Sequence, residues 1–313
     1  MPAIAVPNLI TEASRASVER IVKLQTIAKG VAMSIQRLVR LLGAATLVIT
    51  ATSATAGSVS IRQGDVARWS GMEASKCGYL GRLYPAVDGV CYYPTDMKAR
   101  TGRYDAALYD AAGNQHIGHI DVTRRECGKF DVKIENEALV NPQGADLDRH
   151  LREYRQVKRA INPKRTEPRF TLPLGQPASS GIGGDNDFCF ERRFNELPYT
   201  STHTGRDYPV ATGTTLSAVA DGKVVLAADH FMTGNAIYID HGDGLVSEYF
   251  HLSEMDVKEG DEVKKGQAIG KSGATGRVSG PHLHLGVRWI NQRINPDLLL
   301  AAPGELPDIG TSQ

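Results

Sequence analysis

The sequence predicts a mainly β protein: a small N-terminal β-sandwich, one connector helix, and a second β region towards the C-terminal end. Three observations carry this reading. Apolar residues alternate singly between turn signals over residues 57–137. The period changes once to that of a helix, over residues 146–162. From about residue 187 short strand-like runs return, punctuated by Asp-Gly pairs.

Residues 1–56 read as an upstream extension plus a signal peptide and lie outside the fold. Their longest apolar run, residues 41–51, is too short for a bilayer, which needs ~20 residues. Arg37 and Arg40 precede it, and Ala54-Thr55-Ala56 before Gly57 forms an A-x-A-like cleavage site. Met33 would give this leader an ordinary start, with residues 1–32 either an extension from a misplaced start codon or an unusually long n-region. No Cys lies near the cleavage site, so no lipid anchor is expected, and no transmembrane helix remains after cleavage.

Residues 57–140 are assigned to the β-sandwich. Tyr104, Ala106 and Leu108 alternate, Ala112-Gly113-Asn114 turns, and Ile120 and Val122 alternate again, which is a hairpin. Residues 141–186 are the connector. Leu147, Leu151, Tyr154, Val157 and Ile161 step by 4, 3, 3 and 4, one face of a helix. Asp146 is placed to cap its start, Arg155, Lys158 and Arg159 suit its negative end, and Pro163 stops it. Pro163, Pro168, Pro173 and Pro177 then mark a linker or an extended covering strand. Residues 187–302 are β again, with strands expected at 215–220, 223–228, 235–240, 246–251, 257–260, 263–266, 268–270 and 282–289. Asp221-Gly222 and Asp243-Gly244 are the turn signals among them. Residues 303–313 are left as a tail.

The chain has 313 residues, 41% hydrophobic and 23% charged, which is a globular composition. Lys and Arg number 36 against 35 Asp and Glu, a balance that argues against nucleic acid as partner. The four cysteines, Cys77, Cys91, Cys127 and Cys189, all follow the leader, and an even count in an exported chain suggests two disulfides. Three pairings are open and the sequence does not choose among them; Cys77–Cys91 with Cys127–Cys189 is the working expectation. A cysteine zinc site competes poorly, because no C-x-x-C pair exists.

Six of the nine histidines lie after residue 200, and three groups stand out: His203-Thr-Gly-Arg-Asp207, Tyr249-Phe-His251-Leu252 and Gly280-Pro-His282-Leu-His284. His203 and Asp207 can supply two ligands to a divalent ion. In His282-Leu-His284 the two rings lie two apart on a strand and point to one face, so one can bind metal while the other faces substrate. His251 ends another strand and can approach the same point. A metal there lowers the pKa of a water to ~7 and polarises a carbonyl, and a neighbouring imidazole can move the proton.

With these groups in place, residues 190–300 closely resemble the LytM/lysostaphin-type zinc metallopeptidases, which cut peptide cross-bridges of peptidoglycan. The matching stretches are Arg192-Arg193-Phe194-Asn195, HTGRDY (203–208), ADGKVVLA (220–227), GNAIYIDHGDGL (234–245), YFHLS (249–253), residues 257–287 and NPDLLL (295–300). The resemblance implies a twisted antiparallel β-sheet with a cleft, the metallopeptidase domain. It implies one Zn²⁺ per chain, held by His203, Asp207 and His284, with His251 and His282 as the catalytic pair. Every position of that pentad is filled, which weighs against the alternative reading, a non-catalytic member of the fold that acts as a wall-binding activator of other hydrolases. Cys189 and Phe190 replace a common Phe-Gly turn, so the cleft rim and substrate preference are where this chain departs. Residues 57–186 resemble, more loosely, a β-sandwich found ahead of this domain in exported bacterial relatives.

The function expected is therefore an exported zinc metalloendopeptidase acting on peptidoglycan cross-links, with D-Ala–diaminopimelate bonds favoured and a periplasmic location (secretion being the alternative). Asn195 and Arg277 are candidate substrate contacts. His116 and His119, three apart on a strand, face opposite sides and cannot share a metal; His150 falls on the connector helix, His230 beside a loop at the surface, and His241 in a turn. The sandwich and the Pro-rich linker are expected to lie over the cleft and restrain it. GDEVKKGQAIG also suggests a lipoyl or biotinyl carrier turn, but Lys264-Lys265 lacks that setting.

Overall fold

The computed structural model describes residues 57–162, 166–180 and 184–310, all within one compact unit that spans Thr55–Gln313. The leader assignment, Pro163 and residues 181–183 lie outside the described residues. The architecture is mainly strands, as the sequence predicts. Alternation builds the N-terminal layer: β1 (Ser58–Arg62), β3 (Ala74–Tyr79), β4 (Arg82–Pro85), β6 (Gly102–Asp110) and β7 (Gln115–Thr123) form a sheet in the order β1-β7-β6-β3-β4. Leu108 and Ile120 are fully buried on its inner face. A two-stranded layer, β2 (Val66–Trp69) with β5 (Cys91–Pro94), packs opposite. Tyr93 on β5 donates its hydroxyl proton to Ala107 O at 3.0 Å, joining the two layers. The Cys77–Cys91 disulfide joins them again, and the second disulfide is Cys127–Cys189, the pairing expected.

The expected boundary between sandwich and C-terminal domain is crossed by the backbone itself. β8 (Lys129–Val132) runs parallel to β9 (Glu191–Phe194), which pairs with β10 (Ser201–Thr202). A short helix, α1 (Glu137–Val140), follows β8. The long helix, α2 (Gly144–Ala160), begins two residues earlier than the pattern implies. Gln143 stands at the cap position without a side-chain bond, so Asp146 is no cap; it sits in the first turn, where a carboxylate favours the positive helix end. Only the C-terminal half of the apolar stripe is used: Val157 and Ile161 pack on Leu226, Tyr238 and Phe250. Leu147, Leu151 and Tyr154 are exposed, because the earlier turns reach the sheet through polar side chains instead, Arg149 to Asp229 at 3.0 Å and Glu153 to Phe231 N at 2.7 Å.

The Pro-rich stretch covers the core along residues 166–178, and its last residues, Gly184 and Asp185, border the cleft. Phe170 and Leu174 are buried, and Phe170 meets Trp289 edge-on at 5.3 Å. The C-terminal sheet runs β11 (Arg206–Tyr208), β19 (Leu283–Trp289), β15 (Leu245–Leu252), β14 (Gly234–Asp240), β13 (Gly222–His230) and β17 (Glu262–Val263), with β20 (Gln292–Ile294) on β19. Every residue of β15 is buried, so the sheet has cover on both faces there. Each of its large apolar side chains contributes about 1.5–3 kcal/mol by leaving water. A second sheet holds β12 (Thr215–Ser217), β18 (Ala268–Lys271) and β16 (Glu254–Met255). The strand expected at 257–260 is a turn instead, closed by Lys258 N donating to Asp261 Oδ2 at 3.0 Å.

The last described residues are docked, contrary to a free tail. After α3 (Asp297–Leu300), Ile309 is 1% exposed and its N–H donates to Arg68 O at 2.9 Å. Asp308 takes hydrogen bonds from Ser70 and an ion pair from Arg68.

Candidate metal centre

Asp207, His284 and Phe250 stand side by side on β11, β19 and β15, so their side chains leave one face of the sheet. His203 comes from the turn before β11, His282 from the residue before β19, and His251 from the end of β15. Gly205 in the turn has a steric reason: a Cβ there would lie 2.6 Å from His284 Nε2. His251 adopts φ +68°, a left-handed backbone rare for a side chain of this size, which turns its ring back to the site.

His203 Nε2, Asp207 Oδ1 and His284 Nδ1 converge. The separations are 2.8 Å between the two rings, 2.8 Å from His284 to Asp207 and 3.1 Å from His203 to Asp207. Among the described residues this is the group of His, Asp, Glu and Cys side chains able to hold a metal ion. Two imidazole lone pairs and a carboxylate at this range repel unless a proton or a cation lies among them. A tetrahedral ion with bonds of ~2.0–2.1 Å sets neighbouring ligand atoms ~3.3 Å apart, so the residues fit such an ion and leave one position open.

The surroundings hold each ligand in register. His203 donates Nδ1–H to Asp187 O at 3.0 Å, with the Asp187 carboxylate at 3.2 Å, which turns Nε2 to the centre. The Phe250 ring lies parallel to the His284 ring, centroids 4.9 Å apart. Arg192 donates to Asp187 Oδ2 at 2.7 Å and to Asp207 Oδ2 at 2.5 Å, so only one Asp207 oxygen faces the ion site. Burial alone would raise the Asp207 carboxyl, but hydrogen bonds from His203 and His284 hold it far below the usual carboxylate range. Burial lowers His284. Burial would lower His203 too, yet Asp187 and Asp207 outweigh it and raise that ring.

The two remaining rings are prepared alike. His251 donates Nδ1–H to Thr275 O and His282 donates Nδ1–H to Gly280 O, both at 2.8 Å. Each Nε2 therefore carries a lone pair. The rings stand 4.9 Å apart, and His282 Nε2 is 3.5 Å from Asp207 Oδ2. Burial, then His282 and His284, push His251 down to about 3.

A cavity of about 320 Å³ opens on Asp207 and His282, bordered by Arg192, Arg277 and, from β8, Phe130 and Val132. β8 of the N-terminal half and the end of the linker, Gly184 and Asp185, thus both reach the cleft. Arg277 stacks over Phe194, 4.1 Å from its centroid. Asn195 does not face this cavity as a free amide. Its Oδ1 accepts from Ile134 N at 2.8 Å and its Nδ2 donates to Ile134 O and Glu137, so it positions the 132–137 segment. His230 is also corrected: it is 4% exposed, where α2 packs over β13. His241 is buried in its turn, bonding Asp221 O and Ser247. The sequence reading missed Asp187 and gave Arg192 no role; the signal for both is their place beside Cys189, whose disulfide fixes the loop.

Peptidase family M23 matches residues 201–296. Peptidoglycan DD-endopeptidase ShyA of Vibrio cholerae is 46% identical over 82 residues, 26% of this chain and 19% of that protein. Peptidoglycan DD-endopeptidase ShyB of Vibrio cholerae is 32% identical over 239 residues, 64% of this chain and 55% of that protein. The chain thus spans about a fifth to about half the length of these two relatives. A Pseudomonas aeruginosa crystal structure assigned to peptidase M23 superposes with a TM-score of 0.57 at 27% identity, covering 76% of this chain and 94% of that one. With the His203–Asp207–His284 cluster at the centre of the matched stretch, residues 201–296 form a peptidase family M23 domain.

Proposed function

We propose that the protein is an exported zinc metalloendopeptidase that hydrolyses peptide cross-links of peptidoglycan, at D-Ala–diaminopimelate bonds, in the periplasm. The observation that carries this reading is the convergence of His203, Asp207 and His284 beside two rings with free Nε2 atoms. Relatives named peptidoglycan DD-endopeptidases support the substrate class.

His203, Asp207 and His284 would hold the zinc, which would supply a Lewis acid and lower the pKa of a water towards neutrality. The protein's own groups do the rest. Asp187 and Arg192 keep the ligands oriented, so no reorganisation is needed during reaction. His251 is neutral at pH 7 and can take a proton at Nε2. His282 Nε2, held near the cluster, donates to or accepts from the scissile group, and the two rings share the acid and base roles. Arg277 on the cavity wall contacts the peptide.

The test is metal content and muropeptide release on the purified protein with intact cross-linked sacculi. About one zinc per chain, with release of uncrosslinked peptides that a chelator stops, is the expected result. Mass spectrometry of the products names the bond. Neither zinc nor release would overturn the enzyme and favour the activator reading.

A further inference from the structure

The sheet face that carries the metal ligands continues beyond them. Phe250 pairs with His284, Glu248 with Gly286 and Val246 with Arg288, so Glu248 and Arg288 share the face of His284. Above them lies a second cavity of about 650 Å³, floored by Glu248, Phe250 and Arg288 and walled by Tyr154 and Val157 of α2. Phe250 borders both places, since its ring also stacks on His284.

Two features of this cavity point to an anionic ligand, and the other carboxylates of its lining, Asp96 and Glu153, are already engaged by Arg293 and Arg149. Arg288 donates its Nε–H to Glu248 Oε1 at 2.6 Å, and its side chain is 21% exposed, so its two terminal nitrogens, which bond to no described residue, face the solvent of the cavity. Glu248 is 4% exposed, and it fits because Gly286 opposite has no side chain: a Cβ there would lie 2.8 Å from Glu248 Oε2. A buried carboxylate thus fixes the plane of a guanidinium whose free edge remains available. At the far end, His230 is 4% exposed with Nε2 buried and unpartnered; burial lowers this ring, so it adds a polar atom and no charge. By contrast, the other guanidinium of the rim, Arg293, already gives one whole edge, Nε and Nη2, to the carboxylate of Asp96.

We propose that this cavity is a subsite for a free carboxylate of the cross-linking peptide, bound by the terminal nitrogens of Arg288. The inference rests on the peptidase reading above. His284 and Arg288 are four residues apart on one strand, ~13 Å at 3.3 Å per residue, and the Arg side chain shortens that distance. An extended peptide spans it in about two to four residues, so the carboxylate recognised is not the one beside the scissile bond but one further along the stem. Planar, two-point recognition by Arg gives orientation as well as attraction, so it would select among acidic stems of different amidation.

The experiment compares two cross-linked muropeptide dimers, one with free carboxylates and one fully amidated, on the full chain. Binding is measured by calorimetry after metal removal, and cleavage with zinc restored. The expected result is about ten-fold tighter binding of the free-carboxylate dimer. That preference is lost in Glu248→Gln/Arg288→Gln, which replaces the ion pair by a neutral pair of similar shape, and is reduced in Arg288→Lys. Equal binding of the two dimers by the wild type, or no binding of either, would overturn the subsite. So would a preference retained in the double variant. If the double variant does not fold, Arg288→Lys decides, since it keeps the charge opposite Glu248. Preferential binding without any cleavage would keep the subsite and sink the peptidase reading; cleavage of both dimers with equal affinity would do the reverse.

Discussion

Two regions of this protein bring histidines to aspartates in different ways. On β7, His116 meets Asp110 at 3.2 Å and His119 meets Asp105 at 3.0 Å, one partner each, with rings about a third exposed. In the C-terminal sheet, His203 and His284 share a single Asp207, and their side chains are 3% and 6% exposed. The residue types are the same. What separates a surface hydrogen bond from a metal cradle is convergence of lone pairs on one point, with burial that denies each of them water.

The largest expected effect breaks that contrast directly. His284→Ala should remove bound zinc and abolish wall hydrolysis, whereas His116→Ala or His119→Ala should leave metal content unchanged. Elemental analysis of the three purified variants checks this, and zinc retained by His284→Ala would disprove the ligand assignment. A smaller effect sharpens it. Asp187→Asn keeps all three ligands but weakens the support of His203, so metal affinity should fall about 10–100-fold without being lost. Competition with a chelator reads the shift, and an unchanged affinity would show that Asp187 does not hold the ring.

The smallest effect concerns a carboxylate that serves packing alone. Asp96 accepts from the N, Nε and Nη2 atoms of Arg293, between 2.9 and 3.1 Å, and joins the N-terminal half to β20. Burial would raise its carboxyl, but these bonds hold it below the usual value. A depressed carboxyl stabilises the fold above its unfolded pKa, ~3.9, and loses that contribution as pH falls towards the folded value. Asp96→Asn should therefore cost about 1–2 kcal/mol at pH 7, with the gap to the wild type closing below pH ~4 and zinc content unaffected. Denaturant melts at both pH values measure it; a gap independent of pH would mean that the charge of Asp96 does not matter.

How much of this was legible in the sequence follows the range of the interactions. His282 and His284 could be placed on one side because strand period is a local property, and the Asp243-Gly244 turn announced itself because both residues need positive φ, 46° and 72°. Asp187 could not be read as a ligand support, because its position is set by a disulfide to a cysteine 62 residues away. Asn195 lay inside a family-like stretch, yet its amide is taken up by Ile134, a residue of the other half. His230 seemed a loop residue because nothing local marks the helix that lies over it. The same holds at the C-terminal end: Asp308 and Ile309 look like tail residues until Arg68 and Ser70 are brought to them.

The Cys127–Cys189 bond has one more consequence, because Cys189 N–H donates to His203 O at 3.0 Å and Asp187 lies two residues before it. Thiol oxidation and ion binding act on the same loop, so they are linked equilibria. Linkage is reciprocal: if closing the bond tightens the cradle for its ion, then an ion in the cradle makes the bond harder to reduce by the same factor.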